Sequence, residues 1–174
     1  DFTSGLLTQV GSIPVASGEA YQTVVHPSDK FLYSDNLSGK NQLDAFILTP
    51  ANGLGAEIAG SPYTVGPLPR DIVQTPTGSF LYVVNENGPY QTTSVPSQYD
   101  GSISAFTVDS ETGALSEVAG SPFAAGINPL SMAVDPTGHF AYASSTIYTT
   151  GYDGFAQILG YSIDPSSGVL TPFS

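Results

Sequence analysis

Short apolar runs alternate along the chain with clusters of turn-forming residues, and no stretch of ten or more residues has apolar positions at helical spacing. The runs are rich in Val, Ile, Phe and Tyr, and they end at Pro-Thr-Gly, Asp-x-x-Thr-Gly or Gly-Ser-Pro sequences. Such runs are typical of β-strands, and such endings are typical of the tight turns between them. The pattern therefore predicts an all-β chain, with strands at 7–10, 56–59, 68–74, 80–84, 103–108, 115–119, 130–134, 140–143 and 158–163.

Three short sequence motifs, which we call phrases, each occur three times at matching intervals. A Gly-Ser-Pro phrase and a phrase ending in Phe-x-Tyr both recur at offsets of 49 and then 60 residues, and a third phrase, closing at a turn glycine, recurs at 60 and then 55. A repeat of this length with four short strands is typical of a β-propeller blade. We therefore predict a single β-propeller segment, 1–174, of about three four-stranded antiparallel blades. The repeats are placed at about 5–53, 54–113 and 114–168, with 169–174 starting the outer strand of the last blade.

The sequences of the repeats resemble those of one known family. The phrases are Ala-Gly-Ser-Pro-Phe at 119–123, Asp-Pro-Thr-Gly-x-Phe-x-Tyr at 135–142 and Ser-Ala-Phe-x-Val-Asp at 104–109. They are similar to those of the lactonase family of seven-bladed β-propellers, which is related to bacterial 6-phosphogluconolactonase and to fungal muconate-lactonizing cyclases. Non-catalytic surface propellers of the YVTN type share the same phrases. The resemblance covers 5–173 and implies a propeller fold, with lactone hydrolysis as one expected activity.

One segment of the second repeat carries candidate chemistry. Arg70 and Asp71 open an inner strand, and Asn85 and Glu86 end the strand that follows it. In a propeller blade these two strand ends meet near one mouth of the central channel. The segment resembles a lactonase stretch in which an Arg, a His and a Glu line the central site, but Asp71 stands where that family has His. The other two repeats carry no such charged set.

Two interpretations of Arg70, Asp71 and Glu86 stay open. In the first, Arg70 simply pairs with Asp71 or Glu86 in a partly exposed salt bridge. In the second, Arg70 binds a carboxylate or a developing oxyanion while Glu86 or Asp71 activates water, as ester hydrolysis requires. The corresponding functions are a non-catalytic binding or structural module and, as the alternative, a lactone hydrolase. No Ser-His-acid triad can be assembled, because His26 and His139 both lie in turns.

The connections between second and third strands differ in length among the repeats, at 34–43, 85–102 and 144–157. Long loops on one rim of a rigid scaffold are where binding usually occurs, and Tyr, Ser and Asn suit contacts with glycans or proteins. The candidate binding residues, besides Asn85, are Tyr90, Tyr99, Asp100, Tyr148, Tyr152 and Asp153. No cofactor is expected, although a calcium site using Glu86, Asp100 or Asp153 is an alternative, since hard cations prefer oxygen ligands.

Charge narrows the range of partners. Three Lys and Arg residues against 15 Asp and Glu give a formal net charge of −12, which argues against binding to nucleic acid or to anionic membrane surfaces. No apolar run is long enough for membrane insertion. The absence of cysteine excludes disulfides, thiolate metal sites and cysteine nucleophiles. Scarce Lys, with many Ser, Thr and Tyr residues, favours an extracytoplasmic location: secreted, periplasmic or at the cell surface.

Three blades are too few for a closed ring, because propellers close with about four to eight blades. An open array would expose apolar blade faces at both ends. The expected partners are therefore other copies of this chain or missing blades of a longer chain. Head-to-tail contacts between copies would form a ring if the rotation closes and a filament if it does not.

Overall fold

The structure is a computed structural model that describes residues 6, 9, 11–12, 20–36, 41–49, 53, 55–87, 100–148 and 154–173. These residues form three antiparallel sheets, which we call blades 1, 2 and 3. The described part of the chain contains no helix, and hence none that could span a membrane. The prediction of an all-β chain built from about three four-stranded units is confirmed.

Each blade is a meander in which successive strands pair with their neighbours. Blade 1 consists of β1 (Thr23–Val25), β2 (Phe31–Asn36), β3 (Gln42–Ile47) and β4 (Tyr63–Thr64). Blade 2 consists of β5 (Pro69–Gln74), β6 (Phe80–Asn85), β7 (Asp100–Val108) and β8 (Leu115–Glu117), with β9 (Phe123–Ile127) also paired to β7. Blade 3 consists of β10 (Pro129–Val134), β11 (Phe140–Tyr148), β12 (Gly154–Ile163) and β13 (Leu170–Pro172). The repeat boundaries given above mark sequence phrases rather than sheets, and they stay a prediction.

Neighbouring blades are joined by one arrangement that occurs twice. The Tyr33 hydroxyl of blade 1 donates a hydrogen bond to the Gly113 carbonyl of blade 2 at 2.8 Å, and the Tyr82 hydroxyl of blade 2 donates one to the Gly168 carbonyl of blade 3 at 2.9 Å. Both tyrosines are fully buried. A fully buried hydroxyl without a partner would cost free energy, so these two bonds fix how far each blade is shifted along the next.

Each of these contacts between blades, which we call a joint, requires a glycine for two reasons. Gly113 and Gly168 have φ of +73° and +75°, a conformation that residues with a Cβ adopt at a cost. A Cβ on Gly113 would also lie 2.5 Å from the Phe31 ring, and one on Gly168 would overlap the Phe80 ring. The preceding aspartate holds the second turn in place: Asp164 accepts hydrogen bonds from the backbone N–H groups and hydroxyls of Ser166 and Ser167, which lower its pKa to about 2.

The third of the variable connections is not the loop that the sequence predicts. β11 and β12 stay paired from Phe140↔Ser162 as far as Tyr148↔Gly154, so most of 144–157 continues the hairpin. Ser, Thr and Tyr residues, whose pattern predicts a loop, extend a strand pair instead. Thr and Tyr are compatible with strands when each has a cross-strand partner.

Candidate functional site

Arg70 and Glu86 come together at the end of blade 2 where β5 begins and β6 ends. Arg70 Nε donates to Glu86 Oε2 at 2.6 Å, and Nη2 contacts the same oxygen. The two side chains are 20% and 16% exposed, so the pair is partly accessible to solvent rather than enclosed in the core. Both contacts fall on Oε2, and no described residue bonds Oε1. The ion pair therefore leaves one carboxylate oxygen able to accept a proton.

The backbone around Arg70 departs from regular strand geometry. The pairing of β5 with β6 shifts register between Pro69 and Asp71, and Leu68 just before it has a φ of +51°. A register shift of this kind re-aims the side chain at the bulge. The Glu86 N–H donates to the Leu68 carbonyl at 2.9 Å, which holds the two strand ends against each other. The bulge thus explains why Arg70 turns toward Glu86 instead of following the strand.

Asp71 joins two blades. Its Oδ1 accepts the Ile72 N–H at 2.9 Å, and its Oδ2 accepts the Met132 N–H of β10 in blade 3, also at 2.9 Å. Burial raises the pKa of Asp71 above its ordinary range, against the lowering effect of these two N–H groups. Because each carboxylate oxygen already accepts a backbone N–H, Asp71 is poorly placed to activate water.

Asp71→Ala should lower the free energy of unfolding by about 1–3 kcal/mol, the usual cost of leaving a buried donor without its acceptor. The donor that loses its partner is the Met132 N–H, in the other blade. Urea denaturation of the wild type and the variant measures the difference. Glu111→Ala removes an exposed turn carboxylate and serves as the control for losing an acidic side chain at all. A loss no larger than that of Glu111→Ala would contradict a joining role.

Asp35 is a fourth charged residue near this site, and its place there was not predicted from the sequence. It lies on β2 of blade 1 and is fully buried. Its Oδ1 accepts the N–H groups of Tyr21 and Gln22 at 2.7 and 2.8 Å, while Oδ2 has no hydrogen-bond partner among the described residues. Burial raises the pKa of Asp35 and the negative charge of Asp71 raises it further, whereas the Tyr21 and Gln22 N–H groups and the positive charge of Arg70 lower it. The sequence did contain one signal: Asp35 is the single charged residue of the strand Phe31–Asn36.

The raised pKa of Asp35 predicts a pH dependence. Because the folded chain favours the protonated carboxyl, the stability it contributes is fully present below the ordinary aspartate pKa of about 3.9 and is lost as the pH rises through the raised value. Asp35→Asn keeps an oxygen for the Tyr21 and Gln22 N–H groups but cannot ionise. Between about pH 4 and pH 7 the variant should therefore lose less stability than the wild type. Denaturant titrations of both chains across this range measure the difference, and identical pH profiles would contradict a raised pKa.

The remaining candidate residues fall into three groups. Asn85 is fully buried, and its Nδ2 donates to Ser104 Oγ at 3.1 Å and to Ser102 Oγ at 3.3 Å, so it holds β6 to β7 rather than facing a ligand. Asp100 begins β7 and is exposed, and Tyr148 ends β11. Tyr90, Tyr99, Tyr152 and Asp153 lie outside the described residues.

No three His, Asp or Glu side chains within the described ranges are grouped closely enough to hold a metal ion. One candidate calcium ligand, Asp153, lies outside those ranges. The calcium alternative therefore stays a prediction.

His26 and His139 are in turns, as expected. His26 is buried, with Nε2 at 3.1 Å from the Gly78 carbonyl of blade 2 and Nδ1 accepting the Ser28 N–H at 3.1 Å. This pattern requires the tautomer protonated at Nε2, in which the ring donates to the carbonyl. Nδ1 of His139 contacts Thr137 Oγ1 within its own turn. Neither imidazole contacts the Arg70–Glu86 pair.

Comparison with known proteins finds solved structures that have a similar fold. No family model and no curated protein matches the chain. A candidate 6-phosphogluconolactonase from Bacteroides fragilis NCTC 9343 has a similar structure, with a TM-score of 0.71 and 20% identity over 93% of this chain and 40% of that one. A second candidate 6-phosphogluconolactonase, from Bacteroides uniformis ATCC 8492, matches with a TM-score of 0.68 and 20% identity, over 90% of this chain and 40% of that one. Kuenenia stuttgartiensis hydrazine synthase matches with a TM-score of 0.56 and 17% identity, over 95% of this chain and 38% of that one.

These likenesses establish the fold. The chain has the β-propeller fold of the candidate 6-phosphogluconolactonases that it matches, and it spans about 40% of their length. It is thus a partial propeller, as the repeats predict. Likenesses at 17–20% identity show the fold alone, so an activity has to be argued from the site.

Proposed function

We propose that this chain forms part of a lactone hydrolase whose site is the Arg70–Glu86 pair. The observation that carries the proposal is the geometry of this pair: a guanidinium and a carboxylate in contact, partly exposed, at the ends of two adjacent strands of one blade only. The equivalent of Arg70 is Tyr21 in blade 1 and Leu130 in blade 3. A charged pair confined to one blade is not needed for the repeat to fold, which favours a specific role.

The pair supplies the two groups that hydrolysis of a cyclic ester requires. Glu86 Oε1 accepts a proton from water as the water oxygen bonds to the lactone carbonyl carbon. Arg70 donates hydrogen bonds to the carbonyl oxygen as it becomes an oxyanion. When the ring C–O bond breaks, the proton on Glu86 passes to the leaving alkoxide, which yields the hydroxy acid and restores the carboxylate. Asp71 and Asp35 lie near the pair but hold backbone N–H groups, so they take no part in this proton transfer.

The substrate class is limited by charge. Arg70 is the single arginine of a chain with a formal net charge of −12, and it is already paired with Glu86. Holding a phosphate dianion usually takes several cationic groups or a helix N-terminus. An unphosphorylated sugar lactone, which is neutral until it is hydrolysed, fits this site better than a phosphorylated one.

Proton release in a pH-stat tests the proposal on a panel of sugar lactones, D-glucono-1,5-lactone among them. The wild type should accelerate hydrolysis above the spontaneous rate, and Asp109→Asn, which changes an exposed turn carboxylate, should keep that rate. Hydrolysis at the spontaneous rate for every lactone of the panel would contradict catalysis by this chain.

A second function, a non-catalytic binding or structural module, is favoured by a different observation. The positive charge of Arg70 is compensated by Glu86 within the chain, and both oxygens of Asp71 are occupied by backbone N–H groups. A site built only for stability would look the same. Such a module would act outside the cytoplasm, as the composition favours, and would give no turnover in the same assay.

A further inference from the structure

The residues equivalent to Arg70 in the other two blades are large, mainly apolar and exposed. Tyr21 holds this position in blade 1 and Leu130 holds it in blade 3, and they are 51% and 43% exposed. The strand that carries Arg70, β5, contacts both β1 and β10, so it lies between the two neighbouring first strands. The Arg70–Glu86 pair therefore has an exposed apolar residue at the equivalent position on each side.

The backbone presents these three positions in the same irregular way. In blades 2 and 3 the register of the first strand shifts at 69–71 and at 129–131. In blade 1 the N–H groups of Tyr21 and Gln22 both donate to Asp35 Oδ1, whereas successive N–H groups of a regular strand point to opposite sides. Irregularities of this kind re-aim the side chain at the position where they occur. All three blades therefore turn the residue at this position out of the regular strand pattern.

Contacts between blades hold the three positions near one another. Asp71, which follows Arg70 in the chain, accepts the N–H of Met132 in blade 3 at 2.9 Å. On the other side, Asp35 holds the Tyr21 N–H at 2.7 Å and lies close enough to Arg70 to be affected by its positive charge. The residues at the irregular positions of blades 1 and 3 therefore flank Arg70 at the same end of the blades.

A charged pair between apolar side chains matches the two kinds of surface on a sugar lactone. The carbonyl and the hydroxyls, which project outward around the ring of D-glucono-1,5-lactone, exchange hydrogen bonds, whereas the C–H groups on its two faces are apolar. Small-molecule sites combine apolar and aromatic walls with a few polar groups in this way. A tyrosine ring suits such a wall, because it offers a large, rigid contact area at a low cost in conformational entropy.

We propose that Tyr21 is a specificity-determining residue of this site, and that its ring stacks on the C–H face of a six-membered sugar lactone whose ester group contacts Arg70 and Glu86. The inference rests on the proposed hydrolase site and narrows its substrate class to sugar lactones with an apolar ring face. Leu130 bounds the site on the side of blade 3. Tyr21 contacts the substrate ring and takes no part in the proton transfer.

Two variants of Tyr21 test the stacking contact in the pH-stat with D-glucono-1,5-lactone. Tyr21→Ala removes the ring and should raise KM about three- to tenfold with kcat retained, since a stacking contact stabilises substrate and transition state alike. Tyr21→Phe keeps the ring and should keep the wild-type KM. Both variants retain the backbone N–H that donates to Asp35. Tyr142→Ala is the matched control, because it removes a tyrosine of similar exposure whose ring packs on Phe173.

A binding measurement that needs no turnover accompanies the kinetics. D-Glucono-1,5-lactam keeps the ring, the hydroxyls and the carbonyl of the lactone but resists hydrolysis. Its Kd should rise in Tyr21→Ala by the same three- to tenfold factor, and stay at the wild-type value in Tyr21→Phe and Tyr142→Ala. Saturation-transfer difference NMR, with the aromatic protons of the protein irradiated, should show transfer to the ring C–H protons of the lactam that falls in Tyr21→Ala alone.

The two measurements separate failure of this inference from failure of the proposed function. Equal KM and equal lactam Kd in the wild type and Tyr21→Ala, with turnover present, would overturn the role of Tyr21 and leave the hydrolase proposal intact. Lactam binding that weakens in Tyr21→Ala, in a chain without turnover, would support the stacking contact and contradict hydrolysis. A wild type that neither hydrolyses the lactone nor binds the lactam would overturn both.

Discussion

Tyr82→Ala should lower the free energy of unfolding by about 3–5 kcal/mol, the range measured when a buried aromatic side chain is truncated. The Tyr82 ring is fully buried between blades 2 and 3, and its hydroxyl bonds the Gly168 carbonyl 86 positions along the chain. The variant leaves a cavity at the joint and a carbonyl without its donor, so both packing and hydrogen bonding are lost. Equilibrium denaturation followed by circular dichroism measures the change.

Tyr142→Ala is the matched control, because Tyr142 holds the same register position in blade 3 but is 42% exposed. Its loss should be about 1 kcal/mol, because its ring packs edge-on against Phe173, which is itself half exposed. Tyr33→Ala, at the first joint, should resemble Tyr82→Ala. Equal losses for Tyr82→Ala and Tyr142→Ala would contradict the assignment of Tyr82 to a joint between blades.

Glu86→Gln should reduce the rate of lactone hydrolysis by about 10²–10⁴-fold, the usual contribution of a general base. The amide keeps an oxygen that can accept the Arg70 hydrogen bond, so the local structure should be retained, but it cannot take the proton from water. Initial rates from the pH-stat give the ratio, and a denaturation curve checks that the variant folds. Structural loss would lower both measurements, whereas loss of the base lowers the rate alone.

Arg70→Lys separates the two roles within the pair. Lys keeps the positive charge but loses the planar array of N–H groups that contacts Glu86. We expect a reduced rate, because the oxyanion would receive fewer oriented hydrogen bonds. A rate in Glu86→Gln equal to that of the wild type would contradict the assignment of Glu86 as the base, whatever the effect of Arg70→Lys.

The repeats in the sequence predicted the blades because each strand is bounded by a turn with its own chemistry. Phe-x-Tyr marks the second strand of every blade, and the turn glycine that receives the Tyr hydroxyl falls at the end of the third phrase in the next blade. The meeting of Arg70 with Glu86 could also be predicted, because it follows from where adjacent strands begin and end. Each of these features depends on local sequence and on the order of strands.

Contacts between blades were not predictable in the same way. The role of Asp71 depends on the Met132 N–H, 61 positions away, which reaches it only once blade 3 packs on blade 2. Asp35 was missed because the charged groups near it, Arg70 and Asp71, belong to blade 2. Comparing the repeats relates each position only to its equivalents in the other repeats, so it does not show which positions of different blades come together. The third hairpin, 144–157, was mistaken for a loop because polar β-formers are common in both settings.

The most direct single measurement uses the fact that Arg70 is the single arginine of the chain. Its Nε–H group gives one arginine signal in a ¹⁵N–¹H correlation spectrum. Titration with D-glucono-1,5-lactone, and separately with D-gluconate, should move this signal along a saturable curve, and Glu86→Gln should alter the starting shift. If the signal stays fixed at saturating concentrations of both compounds, the Arg70–Glu86 pair is a structural ion pair and the site proposed here is contradicted.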